Sequence, residues 1–140
     1  MAKSFKEDFL FGTQQEDLIL PKLNSFFKDD IVKSSVHNCV YDFKGTNYYY
    51  ELKSRNFDRW KYSTTLLGAN KVFTTNQIFL FNFTDGLYYI EYEKALFDSF
   101  VKKEFKRWNR PDICDKPQLY YYIPIEELLP VKECGNWRDN

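Results

Sequence analysis

The chain has 140 residues, enough for one domain, 1–140, with a single hydrophobic core. Hydrophobic residues make up 44% and charged residues 29%, the balance of a soluble globular fold, and no apolar run is long enough to span a bilayer. The formal net charge is zero, which weighs against a strongly basic nucleic-acid binder and leaves a local basic face and bound metal for that purpose.

Residues 1–11 are charged and aromatic and read as a lead-in. Thr13-Gln14-Gln15-Glu16 matches a capping box, with Thr13 as N-cap, so a helix is expected over 14–28. Leu18, Ile19, Leu23 and Phe26 or Phe27 supply its apolar stripe, and Pro21 sits inside it. Glu16 has two readings: it closes the capping box, or it reaches toward acids farther along the chain, directly or through water.

A first strand is expected over 31–38, where Val32 and Val36 are β-branched. Residues 40–55 then read as an aromatic-rich hairpin around Gly45-Thr46-Asn47. If Thr46 and Asn47 form the loop, Gly45 pairs with Tyr48, and counting outward sets Asp42 opposite Glu51. Alternation puts Glu51 and Lys53 on that same face, with Tyr41, Phe43, Tyr50 and Leu52 on the other, toward the helix. Two neighbouring carboxylates repel and resist ionising together, a conflict that a divalent cation removes. The alternative is an ordinary solvated face bearing a mildly unfavourable pair of like charges.

Residues 54–76 are polar. A short helix capped by Thr64 or Thr65 is expected to run to about Lys71. Arg55, Arg59, Lys61 and Lys71 are candidate phosphate ligands, and Trp60 and Tyr62 interleave with them as stacking residues would. A solvated loop with two anchoring rings is the other reading. Strands follow over 77–83 and 87–92 about an Asp85-Gly86 turn. A second helix is expected over 93–108, from the spacing of Leu96, Phe97, Phe100, Val101 and Phe105. Its basic end, Lys102, Lys103, Lys106, Arg107 and Arg110, suits the helix dipole or a DNA-facing ridge. A last strand over 119–123 leads through Pro124 to a helical turn over 125–129. The order of elements gives an α/β or α+β fold, a central mixed sheet flanked by helices.

There are 14 Phe, 11 Tyr and 3 Trp, rings that suit a sheet core and can also stack on bases. The three cysteines, Cys39, Cys114 and Cys134, show no paired spacing, so neither a disulfide framework nor a zinc knuckle is expected. His37 beside Cys39 lacks a second ligand pair. With no secretory signal before Lys3, an intracellular location, cytoplasmic or nuclear, is the expectation. Abundant Lys, Asn, Phe, Tyr and Ile with little Ala and Gly suit an AT-rich coding sequence, such as a virus or mobile element carries.

Asp42 at a strand end followed by Glu51-Leu52-Lys53 on the next strand resembles the signature of the PD-(D/E)XK nuclease superfamily, with its restriction-endonuclease-like fold. Tyr41 stands where many members have Pro, and Glu16 matches a Glu that the superfamily often places on the preceding helix. The resemblance implies a Mg²⁺- or Mn²⁺-dependent endonuclease acting on DNA, more readily than on RNA. It implies catalytic Asp42, Glu51, Lys53 and Glu16, with metal held by Asp42, Glu51 and the Leu52 carbonyl. It further implies a helix after the Glu-x-Lys strand that lines the site. Cutting both strands would call for a homodimer. A non-catalytic nucleic-acid or protein interaction module on the same fold is the alternative, and an RNA nuclease is a third reading.

Overall fold

The computed structural model describes residues 5–34, 41–105 and 118–132. The first element is a long helix, α1, Phe5–Phe27. It begins well before Thr13, which therefore lies inside the helix where no orphan amide needs a cap. The capping-box reading of Glu16 falls with it. The helix runs on through Pro21 at the loss of one backbone hydrogen bond. Ile19 and Leu23 are fully buried, with Leu20 and Phe27 partly so, which gives the expected stripe. Leu18 is 68% exposed and does not belong to it.

Lys28 and Asp30 take left-handed backbone (φ 53° and 51°) and reverse the chain after α1. Asn24 fixes the return. Its amide donates to the Ile31 carbonyl at 3.0 Å, and its carbonyl oxygen accepts from the Ile31 amide at 2.7 Å. Strands β1 (Val32–Lys33), β2 (Phe43–Lys44), β3 (Tyr49–Ser54), β5 (Gln77–Phe83), β6 (Gly86–Glu91) and β9 (Leu129–Pro130) form one sheet, in the order β1-β2-β3-β5-β6-β9. The pair β3–β5 is parallel and its neighbours are antiparallel, so the sheet is mixed. Strands β4 (Thr64–Gly68), β8 (Gln118–Pro124) and β7 (Val101–Phe105) form a second sheet in the order β4-β8-β7. The fold is α+β with a central mixed sheet.

Alternation on β5 divides the core in two. Ile78 and Leu80 join Phe43, Tyr50 and Leu87 under α1. Phe79, Phe81 and Phe83 join Leu67, Tyr121, Ile123 and Phe97 under the second sheet. The central sheet is thus covered by a helix on one face and by three strands on the other, where a second helix was expected.

Two segments account for that difference. The Thr64-Thr65 segment opens β4 instead of capping a helix, because its β-branched residues pair with Pro124 and Ile123 across β8. Only Ala69–Lys71 is helical, as a single 3₁₀ turn. The parallel crossover from β3 to β5 therefore passes through a strand of the other layer and not through a helix. In the same way α2 is short, Lys94–Asp98. The amides of Ser99 and Phe100 bond to Leu96 and Phe97 in i→i−3 fashion, and Val101 turns out to pair with Tyr122. Pairing with tyrosine-rich β8 outweighs the helical spacing. The strands expected over 77–83, 87–92 and 119–123 form as Gln77–Phe83, Gly86–Glu91 and Gln118–Pro124, and the helical turn expected over 125–129 forms as Ile125–Glu127. Residues 35–40, with His37 and Cys39, lie outside the described residues, as do Lys106, Arg107, Arg110, Cys114 and Cys134. Among the described residues no helix is long and apolar enough to cross a membrane.

Candidate active site

The hairpin closes as counted. The Gly45 amide donates to the Tyr48 carbonyl at 2.8 Å, and Phe43 pairs with Tyr50. The turn is held from outside by Asp29, a buried acid with no mark in the sequence to single it out. Its carboxylate accepts from the Asn47 amide and side chain at 2.8 and 2.7 Å, from the Tyr48 amide at 3.1 Å and from the Tyr50 hydroxyl at 2.9 Å. Its backbone carbonyl accepts from the Thr46 amide at 2.6 Å. Burial and the bond to Asp29 push the Tyr50 hydroxyl well above the usual tyrosine range.

Beyond Phe43 the strand departs from simple alternation. The Asp42 amide donates to Tyr50 on the β3 side at 2.9 Å, while its carbonyl accepts from Ser34 on the β1 side at 2.9 Å. A flat strand sends both groups of one residue to the same side, so Asp42 marks a β-bulge. Tyr41 is turned with it. Its ring packs on Tyr49 (4.8 Å) and Phe73 (6.5 Å), away from the helix face it was expected to join.

The bulge ends the β2 pairing and leaves the next inward-facing amide of β3, that of Leu52, without a strand partner. The amides of Tyr49 and Arg55 bond to β5 neighbours Asn76 and Asn82, so even-numbered amides such as Leu52 face β2. The Asp42 carboxylate takes that place, with Oδ2 2.8 Å from the Leu52 amide. Burial raises the Asp42 carboxyl above its usual range, and the charge of Glu51 raises it further. The Leu52 amide, Lys53 and Lys71 pull the other way.

Glu51 is only 6% exposed, on the face of β3 that turns toward the second sheet. Its Oε2 receives two ammonium groups, Lys53 at 3.2 Å and Lys71 at 3.5 Å. Lys71 arrives from the 3₁₀ turn, which buried Gln77 clamps. The Gln77 side chain donates to the Lys71 carbonyl at 2.9 Å and accepts from the amides of Phe73 and Thr74 at 2.8 and 3.2 Å. On the helix side, burial raises Glu16, and Asp42 raises it next, against the opposing charge of Lys33 at 3.9 Å. Asp42, Glu51, Glu16, Lys53 and Lys71 thus share one electrostatic neighbourhood at the edge of β3.

The other candidate phosphate ligands stand elsewhere. Arg55 donates to Thr65 Oγ1 at 3.2 Å and to the Leu66 carbonyl at 2.6 Å, over the Phe81 ring. Arg59 lies between Trp60 and Tyr88 and approaches the carbonyls of Ile125 and Leu128 at 3.3 and 3.4 Å. Lys61 sits over the rings of Phe57 and Tyr62.

Among the described residues no three of His, Cys, Asp and Glu stand close enough to hold a metal ion between them. Two carboxylates and one backbone carbonyl remain as donors, since the Leu52 carbonyl projects to the same side as its amide. That set fits a small hard cation which keeps several of its waters.

No family model matches this chain. No curated protein and no solved structure compared with it does so either.

Proposed function

We propose that this chain is a cation-dependent nuclease that hydrolyses phosphodiester bonds, with DNA as the expected substrate. One observation carries the reading. A bulge aims the Asp42 carboxylate at the amide of Leu52, the residue between buried Glu51 and its lysine partner Lys53, so an acid from the neighbouring strand meets β3 where it carries an acid and a lysine. Burial first and a neighbouring acid second raise both Asp42 and Glu16, a cost to the fold that is more common at functional sites than on solvated faces.

Asp42, Glu51 and the Leu52 carbonyl are the residues that would hold Mg²⁺ or Mn²⁺. Such a cation supplies Lewis acidity toward a phosphoryl oxygen. Lys53, held 3.2 Å from Glu51, stabilises the charge that grows on the phosphate when water oxygen bonds to phosphorus and the ester P–O bond breaks. The departing oxygen takes its proton from solvent. Glu16, raised by burial and next by Asp42, would take the proton that the attacking water gives up, on the helix side.

The test is cleavage of supercoiled and branched DNA, and of RNA in competition, with Mg²⁺, Mn²⁺ or EDTA. Asp42→Asn and Lys53→Ala are expected to lower the rate by about 100-fold or more, and EDTA to abolish it. Cleavage indifferent to both substitutions would refute the site. Binding without any cleavage would leave an interaction module.

A further inference from the structure

Glu51 is buried, yet two lysines share one of its oxygens. Two ammonium groups on a single oxygen repel each other, so the pair is not equally held. Lys53 is anchored two residues along the same strand, lies nearer and is 27% exposed. Lys71 comes from a separate turn, lies farther and is 38% exposed. Lys71 is the partner that can leave. Its backbone would stay in place, because Gln77 holds the turn through the Lys71 carbonyl and not through the ammonium.

We infer that Lys71 is a displaceable stand-in for the cation on Glu51, and that its release supplies a phosphate contact which exists only once the cation is bound. The inference rests on the nuclease reading of the same site. A divalent charge at Glu51 competes with both ammonium groups, and the weaker-held one yields. The freed Lys71 ammonium, at the solvent side of the site, then meets the anionic backbone of the substrate. Cation and nucleic acid thus favour each other through one side chain, a coupling that is reciprocal by linkage. In the absence of cation, Glu51 remains paired and the buried charge is never left alone.

The experiment is titration calorimetry of the full chain with Mn²⁺, on the wild type, Lys71→Met and Glu51→Gln. Fluorescence anisotropy of a short labelled DNA duplex follows, in Ca²⁺ and in EDTA, with circular dichroism as the check on folding. Lys71→Gln repeats each arm with a different neutral side chain. Lys71→Met is expected to bind Mn²⁺ about fivefold tighter or better. The same variant should bind duplex about tenfold more weakly in Ca²⁺, and no differently from wild type in EDTA. Mn²⁺ binding by the variant alone would also support the inference, since Lys71 would then exclude the ion. Unchanged or weaker Mn²⁺ affinity, or an equal loss of duplex binding with and without cation, would overturn it. If Glu51→Gln alone lost Mn²⁺ in that case, the nuclease reading would survive. If no form bound Mn²⁺, both would fall.

Discussion

At Asp42 the role proposed for the carboxylate and the stability of the fold oppose each other, because burial and a neighbouring acid both disfavour its charge. Its carboxyl is held above the usual range first by burial and then by Glu51, and Glu16 is raised beside it. A group whose folded pKa is raised binds its proton more tightly in the fold than in the unfolded chain. Its stabilising contribution is complete below the ordinary carboxylate range and is lost as pH rises through the folded value. Asp42→Asn keeps an oxygen for the Leu52 amide and removes the charge. We expect this variant to match the wild type near pH 3 and to become more stable as pH rises. The gain should reach about 1 kcal/mol, or roughly 4 °C in Tm, at neutral pH without divalent cation. Thermal unfolding across that pH range checks it. A variant less stable than wild type at pH 7 would mean that the charge serves the fold.

Among the elements, the hairpin depends on a close approach that its own sequence only half reveals. The Gly45-Thr46-Asn47 turn is legible, and so is the register that follows from it. Asp29, which completes the turn from 16 residues upstream of Gly45, is not legible, because nothing in a lone aspartate tells a reader that four donors will converge on it. A Cβ at Gly45 would lie 2.1 Å from Asp29 Oδ2 and 2.8 Å from its backbone carbonyl. Gly45→Ala must therefore push the turn off its anchor, and a loss of about 2–3 kcal/mol is expected in urea unfolding. A change below about 0.5 kcal/mol would show that the turn shifts freely. Asp42 illustrates the same limit at the other end of the hairpin. Simple alternation assigns it a face, but a bulge settles its direction, and the bulge is written in an amide and a carbonyl of one residue that bond to opposite neighbouring strands.

At the scale of the whole molecule, the two sheets are tied by a charged residue. Arg55 follows β3 and reaches into β4 through Thr65 and Leu66, and desolvation lowers its guanidinium from the usual value. Arg55→Met would leave the Leu66 carbonyl unmet while keeping most of the side-chain volume. A loss of about 2 kcal/mol is expected, with duplex affinity unchanged when measured well below Tm. Selective loss of duplex affinity without loss of stability would assign Arg55 to phosphate instead.

The sequence by itself determined the mixed α+β class, strands near 77–83, 87–92 and 119–123, the hairpin register and the nearness of Asp42 to Glu51 and Lys53, because strand period and turn chemistry are local. Only the tertiary structure decided that Thr64-Thr65 and Val101–Phe105 become strands, that Lys71 closes on Glu51 while Arg55 and Arg59 bind the scaffold, and that Asp42 is re-aimed by a bulge. Those outcomes follow from long-range pairing and burial, where a partner far along the chain outweighs what nearby residues prefer.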